Sequence, residues 1–151
     1  MHGGLQVESE PKYDCIKLKN QLCFPLYVCS KEIVKRYKPF LDEIGLTYTQ
    51  YITMMVVWEQ KSINVKHLGE YLYLDSGTLT PVLKTLELKG LVKRERSLAD
   101  ERNLTVTITK EGEDLKKKAV TIPGKMRKCV AIEPEEAQQL CTILHKLMQN
   151  L

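Results

Sequence analysis

The sequence predicts a mainly helical fold that carries one small β-hairpin. Two short helical segments follow each other closely, the first at about Lys66 to Leu72. The second begins at the capping residues Asp75-Ser76-Gly77-Thr78 and ends at Gly90, a residue type that often terminates helices. Two β-rich runs, Leu91–Arg96 and Leu104–Thr109, come directly after this pair. Two helices joined by a tight turn and followed by a hairpin, or wing, form the winged helix-turn-helix arrangement.

Length and composition agree with one globular domain. The chain has 151 residues, 43% of them hydrophobic, and a formal net charge of +4. No run approaches the roughly 18 apolar residues of a membrane span, and the amino-terminal residues lack the pattern of a secretion signal. Five scattered cysteines are typical of reduced thiols rather than a disulfide scaffold. We therefore expect a cytoplasmic protein without membrane association.

Enzyme and metal-site patterns are weak in this sequence. A thiol peroxidase would be the nearest enzyme class, but there is no Cys-x-x-Cys motif and no α/β pattern, and the hairpin would have no role. The three histidines, His2, His67 and His145, are isolated from one another. The sequence therefore predicts a protein that is not an enzyme and that has neither a cofactor nor a metal ion.

The helix before this unit contains the cysteine of greatest interest. An apolar pattern runs from Leu18 to Tyr37 and is expected to break near Pro39. Asn20 is a candidate N-cap, which would place Cys23 at the third helical position. Pro25 conflicts with a regular helix there, so the helix either starts late or kinks beside Cys23.

Capping patterns predict the remaining helices. Thr47 and Gln50 form a capping-box pattern, and Thr109 precedes a helix with acidic residues in its first turn and lysines later. Pro123-Gly124 interrupts that helix, and Glu133-Pro134 opens a last one with an apolar side. The predicted organisation is a flexible extension over 1–16 and a single domain over 17–151, in which 47–110 is the winged unit and 17–45 and 111–151 are dimerisation helices.

Basic residues alternate with apolar ones at the start of the predicted wing. In a strand, Lys93 and Glu95 would share one face, and Arg94 and Arg96 the other. Paired arginines beside a turn are candidates for binding phosphate, although a solvated face would explain them equally well.

Four segments of this chain resemble the MarR family of winged-helix transcription regulators, and more closely its organic-hydroperoxide-sensing OhrR branch with the related staphylococcal redox regulators. The resemblance spans residues 17–130. It rests on Asn20–Phe24, Leu46–Tyr51, Leu74–Lys84 with its Thr-Pro, and Asp100-Glu101-Arg102. It implies a homodimer that binds a palindromic operator in double-stranded DNA and represses genes for peroxide detoxification.

The resemblance implies that Cys23 senses oxidants. A position near a helix N-terminus favours the reactive thiolate, whereas a buried core thiol would be inert. Tyr27, Tyr37 and Tyr48 match tyrosines that surround the sensor in the family, and as packing aromatics they would need no such role. Cys129 lies where some members carry a resolving cysteine, and its basic neighbours favour thiolate. Oxidation of Cys23 would then give a bond to Cys129 between subunits or a sulfenic acid capped by a small thiol.

The resemblance also implies how DNA is read. The second helix would enter the major groove, with phosphate at its N-terminal amides, and Arg102 would enter the minor groove with Asp100 holding it. A small phenolic or lipophilic inducer, in place of oxidation, is the alternative signal. The expected DNA-binding residues are Ser76, Thr78, Thr80, Lys84, Arg94, Arg96, Asp100 and Arg102.

Overall fold

A computed structural model describes residues 11–96 and 104–151 of the chain. The chain divides into two compact units, residues 1–36 and 37–151. The predicted wing tip, with Asp100 and Arg102, lies outside the described residues.

The first unit shows how the first helix begins. Two short 3₁₀ helices, Pro11–Ile16 and Leu18–Asn20, precede helix α1, Cys23–Asp42. Asn20 ends the second 3₁₀ helix, three residues before α1 begins, so it is not the N-cap of α1. Its side-chain amide instead donates a hydrogen bond to the carbonyl of Asp14 at 2.7 Å. Cys23 is therefore the first helical residue instead of the third. Pro25 falls in the first turn, where a missing N–H removes no intrahelical hydrogen bond, and the late start resolves the conflict.

The expected break at Pro39 is wrong. Helix α1 continues past Pro39 to Asp42, and Leu41, only 1% exposed, packs in the core of the second unit. Pro39 and Lys35 are both exposed, so the Lys35 carbonyl that loses its helical donor can be hydrated. Lys38 also bonds the carboxylate of Asp42 at 2.8 Å across this turn.

The remaining elements belong to the second unit. Its helices and strands are, in order, α2 (Tyr48–Gln60), β1 (Ser62–Asn64), α3 (Val65–Leu72), α4 (Ser76–Leu88), β2 (Val92–Arg96), β3 (Leu104–Ile108), α5 (Lys110–Ala119), α6 (Ile122–Cys129) and α7 (Pro134–Met148). Helices α2, α3 and α4 and the sheet each contribute fully buried side chains to one core, among them Met54, Leu68, Leu86 and Val106. The mainly helical fold with a wing is confirmed.

The wing belongs to a three-stranded antiparallel sheet. Its strand order is β1-β3-β2, with Ile63 and Arg94 both opposite Val106. Because β1 lies between α2 and α3 in the chain, its pairing with β3 attaches the hairpin to the entry of the helix-turn-helix. The hairpin is therefore anchored along β3 and not only through the turn at Gly90.

Helix α5 packs closely against this sheet. The indole N–H of Trp58, in α2, donates to the carbonyl of Gly112 at 2.8 Å in a buried position. The hydroxyl of Thr109 accepts from the Gly112 amide at 3.0 Å and caps the helix, as expected. A Cβ on Gly112 would lie 2.2 Å from the Leu91 carbonyl oxygen, so only glycine permits this approach.

Helix α7 presents an apolar stripe to its surroundings. A capping box between Glu133 and Glu136 opens the helix, and every residue in it is at least partly exposed. Leu140 is 44% exposed and Ile143 64%. From the sequence, this stripe could contact either a partner subunit or the core of its own chain, and its contact with a partner stays a prediction.

Candidate functional site

Helix α4 separates an apolar face from a polar one. Leu79, Leu83 and Leu86 are at most 1% exposed and attach the helix to the core. The opposite face is exposed and bears hydroxyls and one ammonium group. Ser76, Thr80 and Lys84 are spaced by four and share one side of the helix, whereas Thr78 lies on another side of its first turn. The four side chains predicted to read DNA are all exposed: Ser76, Thr78, Thr80 and Lys84.

Asp75 caps α4 and turns its carboxylate onto Thr78. One carboxylate oxygen accepts from the Thr78 backbone N–H at 2.9 Å, and the other accepts from the Thr78 hydroxyl at 3.0 Å. The backbone N–H, followed by the hydroxyl, lowers the pKa of Asp75. The carboxylate thus satisfies the Thr78 backbone N–H, and the expectation that phosphate binds the N-terminal amides of α4 stays a prediction.

Arg94, in β2, is bound by Glu87 of helix α4. Its backbone N–H donates to one carboxylate oxygen of Glu87 at 2.9 Å, and its guanidinium donates to the other at 2.9 and 2.7 Å. These bonds lower the pKa of Glu87. The Arg94 side chain is only 20% exposed, whereas Arg96 is exposed. The structure thus gives Arg94 a role in joining α4 to the wing and leaves Arg96 as the better phosphate candidate.

Cys23 stands at the N-terminus of α1 and is exposed. The positive end of the helix dipole lies at this residue, an arrangement that stabilises negative charge. Tyr27, one turn later, is 63% exposed, with the Lys31 ammonium 5.9 Å from its ring centroid. Cys29 is also exposed, but it lies inside the helix and lacks the terminal position.

Tyr37 and Tyr48 lie together in the second unit. Their ring centroids are 5.0 Å apart, and Tyr51 lies 5.9 Å from Tyr37. Burial is the main cause that raises the pKa of all three phenols, with the other tyrosines of the group adding to the shift for Tyr37 and Tyr51. This tyrosine cluster therefore retains its O–H donors throughout the neutral range. The sequence analysis missed Tyr51, although its spacing of three from Tyr48 places both on one helix face.

Cys129 is the last residue of α6 and is partly buried. Of its basic neighbours, Lys125 bonds the carboxylate of Glu43 at 2.7 Å, while Arg127 and Lys128 are exposed. Cys15 and Cys141 are exposed thiols.

A cavity of about 690 Å³ opens beside the N-terminal end of α4, between α3 and β3. Lys66, Tyr73, Leu79 and Leu104 are among its lining residues. Across residues 11–96 and 104–151, no three or more His, Cys, Asp or Glu side chains gather as metal ligands would. Within the same ranges, every helix is too short or too polar to span a bilayer.

The α3–α4 pair, its exposed polar face and the attached wing define a winged helix-turn-helix protein. Residues 35–119 match the family model described as transcriptional regulator SarA/Rot. The chain is 47% identical over 142 residues to the organic hydroperoxide resistance transcriptional regulator of Bacillus subtilis, covering 94% of this chain and 97% of that protein.

Solved structures of AbfR of Staphylococcus epidermidis are similar as well. Reduced AbfR bound to DNA matches with a TM-score of 0.79 and 34% identity, over 92% of this chain and 95% of that one. Disulfide-formed AbfR matches with a TM-score of 0.61 and 33% identity, over 92% of each chain. This chain therefore belongs to the SarA/Rot family of transcriptional regulators, in the MarR-like winged-helix group.

Proposed function

We propose that this protein is a homodimeric repressor that binds a palindromic operator and is released when organic hydroperoxides oxidise Cys23. The observation that carries the proposal is the exposed Cys23 thiol at the first residue of α1. The relatives, one named for organic hydroperoxide resistance and one solved in reduced and disulfide forms, support the same switch.

The DNA surface consists of α4 and the wing. Ser76, Thr78, Thr80 and Lys84 face the major groove from the exposed side of α4, and Arg96 binds backbone phosphate. Arg102 and Asp100 lie outside the described residues; on the resemblance alone, Arg102 is proposed to enter the minor groove with Asp100 holding its side chain. Replacing Arg102 with alanine should lower operator affinity by about 1–3 kcal/mol, the usual range for one such contact. Unchanged binding in a gel-shift assay at moderate salt would exclude this role.

The chemistry at Cys23 is a stoichiometric signal rather than an enzymatic turnover. The thiolate attacks a hydroperoxide, ROOH, forms an S–O bond as the O–O bond breaks, and becomes a sulfenic acid; the leaving alkoxide takes a proton from solvent and departs as ROH. The Cys129 thiol of the partner subunit then displaces water to form a disulfide, or a small cellular thiol caps the sulfur in the same way. The proposed switch needs Cys23 to be reduced at rest and needs DNA in the same compartment. The cytoplasm meets both conditions, so we place the protein there.

Oxidation weakens DNA binding through the dimer. A palindromic operator accepts two recognition helices only at the spacing of successive major grooves, about 34–36 Å. Added bulk or a covalent bond at Cys23 displaces the tyrosine hydroxyls that contact the thiolate across the subunits. A modest rotation of the winged units then removes contacts at both half-sites together.

The decisive experiment measures DNA binding before and after cumene hydroperoxide for the wild type, Cys23→Ser and Cys29→Ser. Cys29 is the matched control, because it is an exposed cysteine of the same helix away from its terminus. We expect Cys23→Ser to bind DNA and ignore the peroxide, and Cys29→Ser to respond as the wild type does. Loss of response in Cys29→Ser alone would refute the assignment.

Non-reducing electrophoresis tests Cys129 separately. A peroxide-induced band of cross-linked dimer that disappears in Cys129→Ser would support the disulfide between subunits. A band that persists in this variant would exclude Cys129 as the resolving residue.

A ligand-induced repressor is the second candidate, favoured by the 690 Å³ cavity beside α4. A phenolic acid seated between Lys66 and Tyr73 would lie close to the DNA surface. In this case salicylate, used as a probe, would release DNA from Cys23→Ser as readily as from the wild type. Cumene hydroperoxide would then release DNA from neither the wild type nor Cys23→Ser.

A further inference from the structure

The Thr78 hydroxyl at the DNA-reading end of α4 has a fixed hydrogen-bond direction. It lies 3.0 Å from one carboxylate oxygen of Asp75, while the other oxygen accepts the Thr78 backbone N–H at 2.9 Å. An ionised carboxylate only accepts hydrogen bonds, and a hydroxyl has one proton to donate. The pKa of Asp75 is lowered, chiefly by the Thr78 N–H, so the carboxylate is ionised at neutral pH.

The proton of Thr78 is therefore committed inside the protein, and only its lone pairs face outward. We propose that Asp75 is a specificity-determining residue, which makes Thr78 an obligate hydrogen-bond acceptor toward DNA. In the major groove such an acceptor can pair only with an exocyclic amine, N6 of adenine or N4 of cytosine. It is excluded from donating to N7 or O6 of guanine or to O4 of thymine. The inference rests on the proposed entry of α4 into the major groove.

Asp75→Asn reverses this polarity while preserving the cap. Asparagine and aspartate are about equally effective N-caps, because a side-chain oxygen still accepts the N–H of residue 78. The second carboxylate oxygen becomes an amide NH₂, which donates to the Thr78 hydroxyl instead of accepting from it. The hydroxyl proton is then available for a base acceptor. Thr78→Val is the companion variant, because it keeps the branched shape and removes the hydroxyl.

The test measures how binding changes when single functional groups are removed from the bases of the DNA. Reduced wild-type protein first selects its preferred duplex from a randomised library. That duplex is then synthesised with one base changed at a time. Purine replaces adenine and 2-pyrimidinone replaces cytosine, so that each base loses only its exocyclic amine, and 7-deazapurines delete the N7 acceptor. Binding of each duplex is compared for the wild type, Asp75→Asn and Thr78→Val, and thermal unfolding verifies that each variant is folded.

Each half-site should contain one position at which the wild type depends on the amine. Deleting the amine at that position in a single half-site should weaken DNA binding roughly two- to tenfold, the value of one hydrogen bond. Thr78→Val should be indifferent to that deletion. Asp75→Asn should lose the dependence on the amine and become sensitive to deletion of an acceptor at the same or an adjacent base pair.

Two outcomes overturn the inference and leave the proposed function intact. One is a wild type that tolerates every amine deletion, and the other is an Asp75→Asn variant with the amine dependence of the wild type. If the reduced protein selects no duplex at all, the proposed function fails and this inference fails with it.

Discussion

Replacing Gly112 with alanine should destabilise the protein severely, because the new methyl has no room. The Cβ would lie 2.2 Å from the carbonyl oxygen of Leu91 and 2.9 Å from Cγ1 of Ile108. The backbone atom of Leu91 belongs to the start of the wing, so neither a rotamer change nor a flexible side chain can relieve this contact. Helix α5 must instead move away by about 1 Å to reach ordinary van der Waals distance.

The magnitude follows from the contacts that such a movement breaks. Overpacking of a well-packed site costs about 1–3 kcal/mol. The shift also stretches the bond from Trp58 to the Gly112 carbonyl and the cap from the Gly112 amide to Thr109, each worth about 1 kcal/mol. Together these losses amount to about 3–5 kcal/mol, which corresponds to a fall of about 6–20 °C in Tm for a chain of this size.

Thermal unfolding at one fixed protein concentration measures this change, and Trp58, the only tryptophan, reports the local packing through its fluorescence. Gly124→Ala is the matched control. A methyl there meets no described atom within 4 Å, and alanine favours the helix by about 0.4–1 kcal/mol. The reasoning is refuted if Gly112→Ala melts within 2–4 °C of the wild type, the shift expected for about 1 kcal/mol, with unchanged emission.

Three further predictions concern the conformation of Lys61, the tyrosine cluster and the arginines of the wing. Lys61 is not glycine but adopts a φ of 63°, and its ion pair with Glu113 is at the surface, where it contributes little to stability. Lys61→Gly should therefore raise Tm by relieving backbone strain, whereas Lys61→Ala should not. Equal Tm values for the two variants would contradict this. Folding raises the pKa of the tyrosine cluster above 10.0, so the folded state holds those protons more tightly and the free energy of unfolding should fall as pH rises through the raised pKa. Tyr37→Phe should reduce the fall in the free energy of unfolding, which is measured by denaturation at each pH while tyrosinate absorbance follows the titration. A variant whose free energy of unfolding depends on pH as in the wild type would argue against this. Arg96→Ala should remove one phosphate contact per subunit, so the slope of log K against log salt should change by about 1.8 for the dimer. Arg94→Ala should leave the slope unchanged, and equal slopes for the two variants would contradict the distinction.

Local chemistry accounts for what the sequence could predict. The capping box of Thr47 and Gln50, the Asp75 cap and the Thr109 cap each involve residues three apart, so their hydrogen bonds are implied by the sequence. The stripe of exposed hydroxyls on α4 follows from helical periodicity in the same way. These features were enough to predict the winged helix-turn-helix and the face that it exposes.

Tertiary packing decides the features that were missed. Nothing in the sequence pairs Trp58 with Gly112, which are separated by 54 positions. Arg94 looked available for phosphate until the turn at Gly90 placed it against Glu87. The position of Cys23 depended on the 3₁₀ helix Leu18–Asn20, which places Asn20 before α1 instead of at its N-cap, so that α1 begins at Cys23.

The ion pair between Glu87 and Arg94 also has a consequence for how the repressor responds. It joins α4 to β2, while β2 pairs with β3, β3 pairs with β1, and β1 leads directly into α3. These contacts join α4, the three strands and α3 into one connected DNA-binding unit. We expect a displacement of one of these elements to move its neighbours with it, so that each dimer releases its operator in a single step. Gene expression would then respond to a graded chemical stress through the fraction of dimers that have been released.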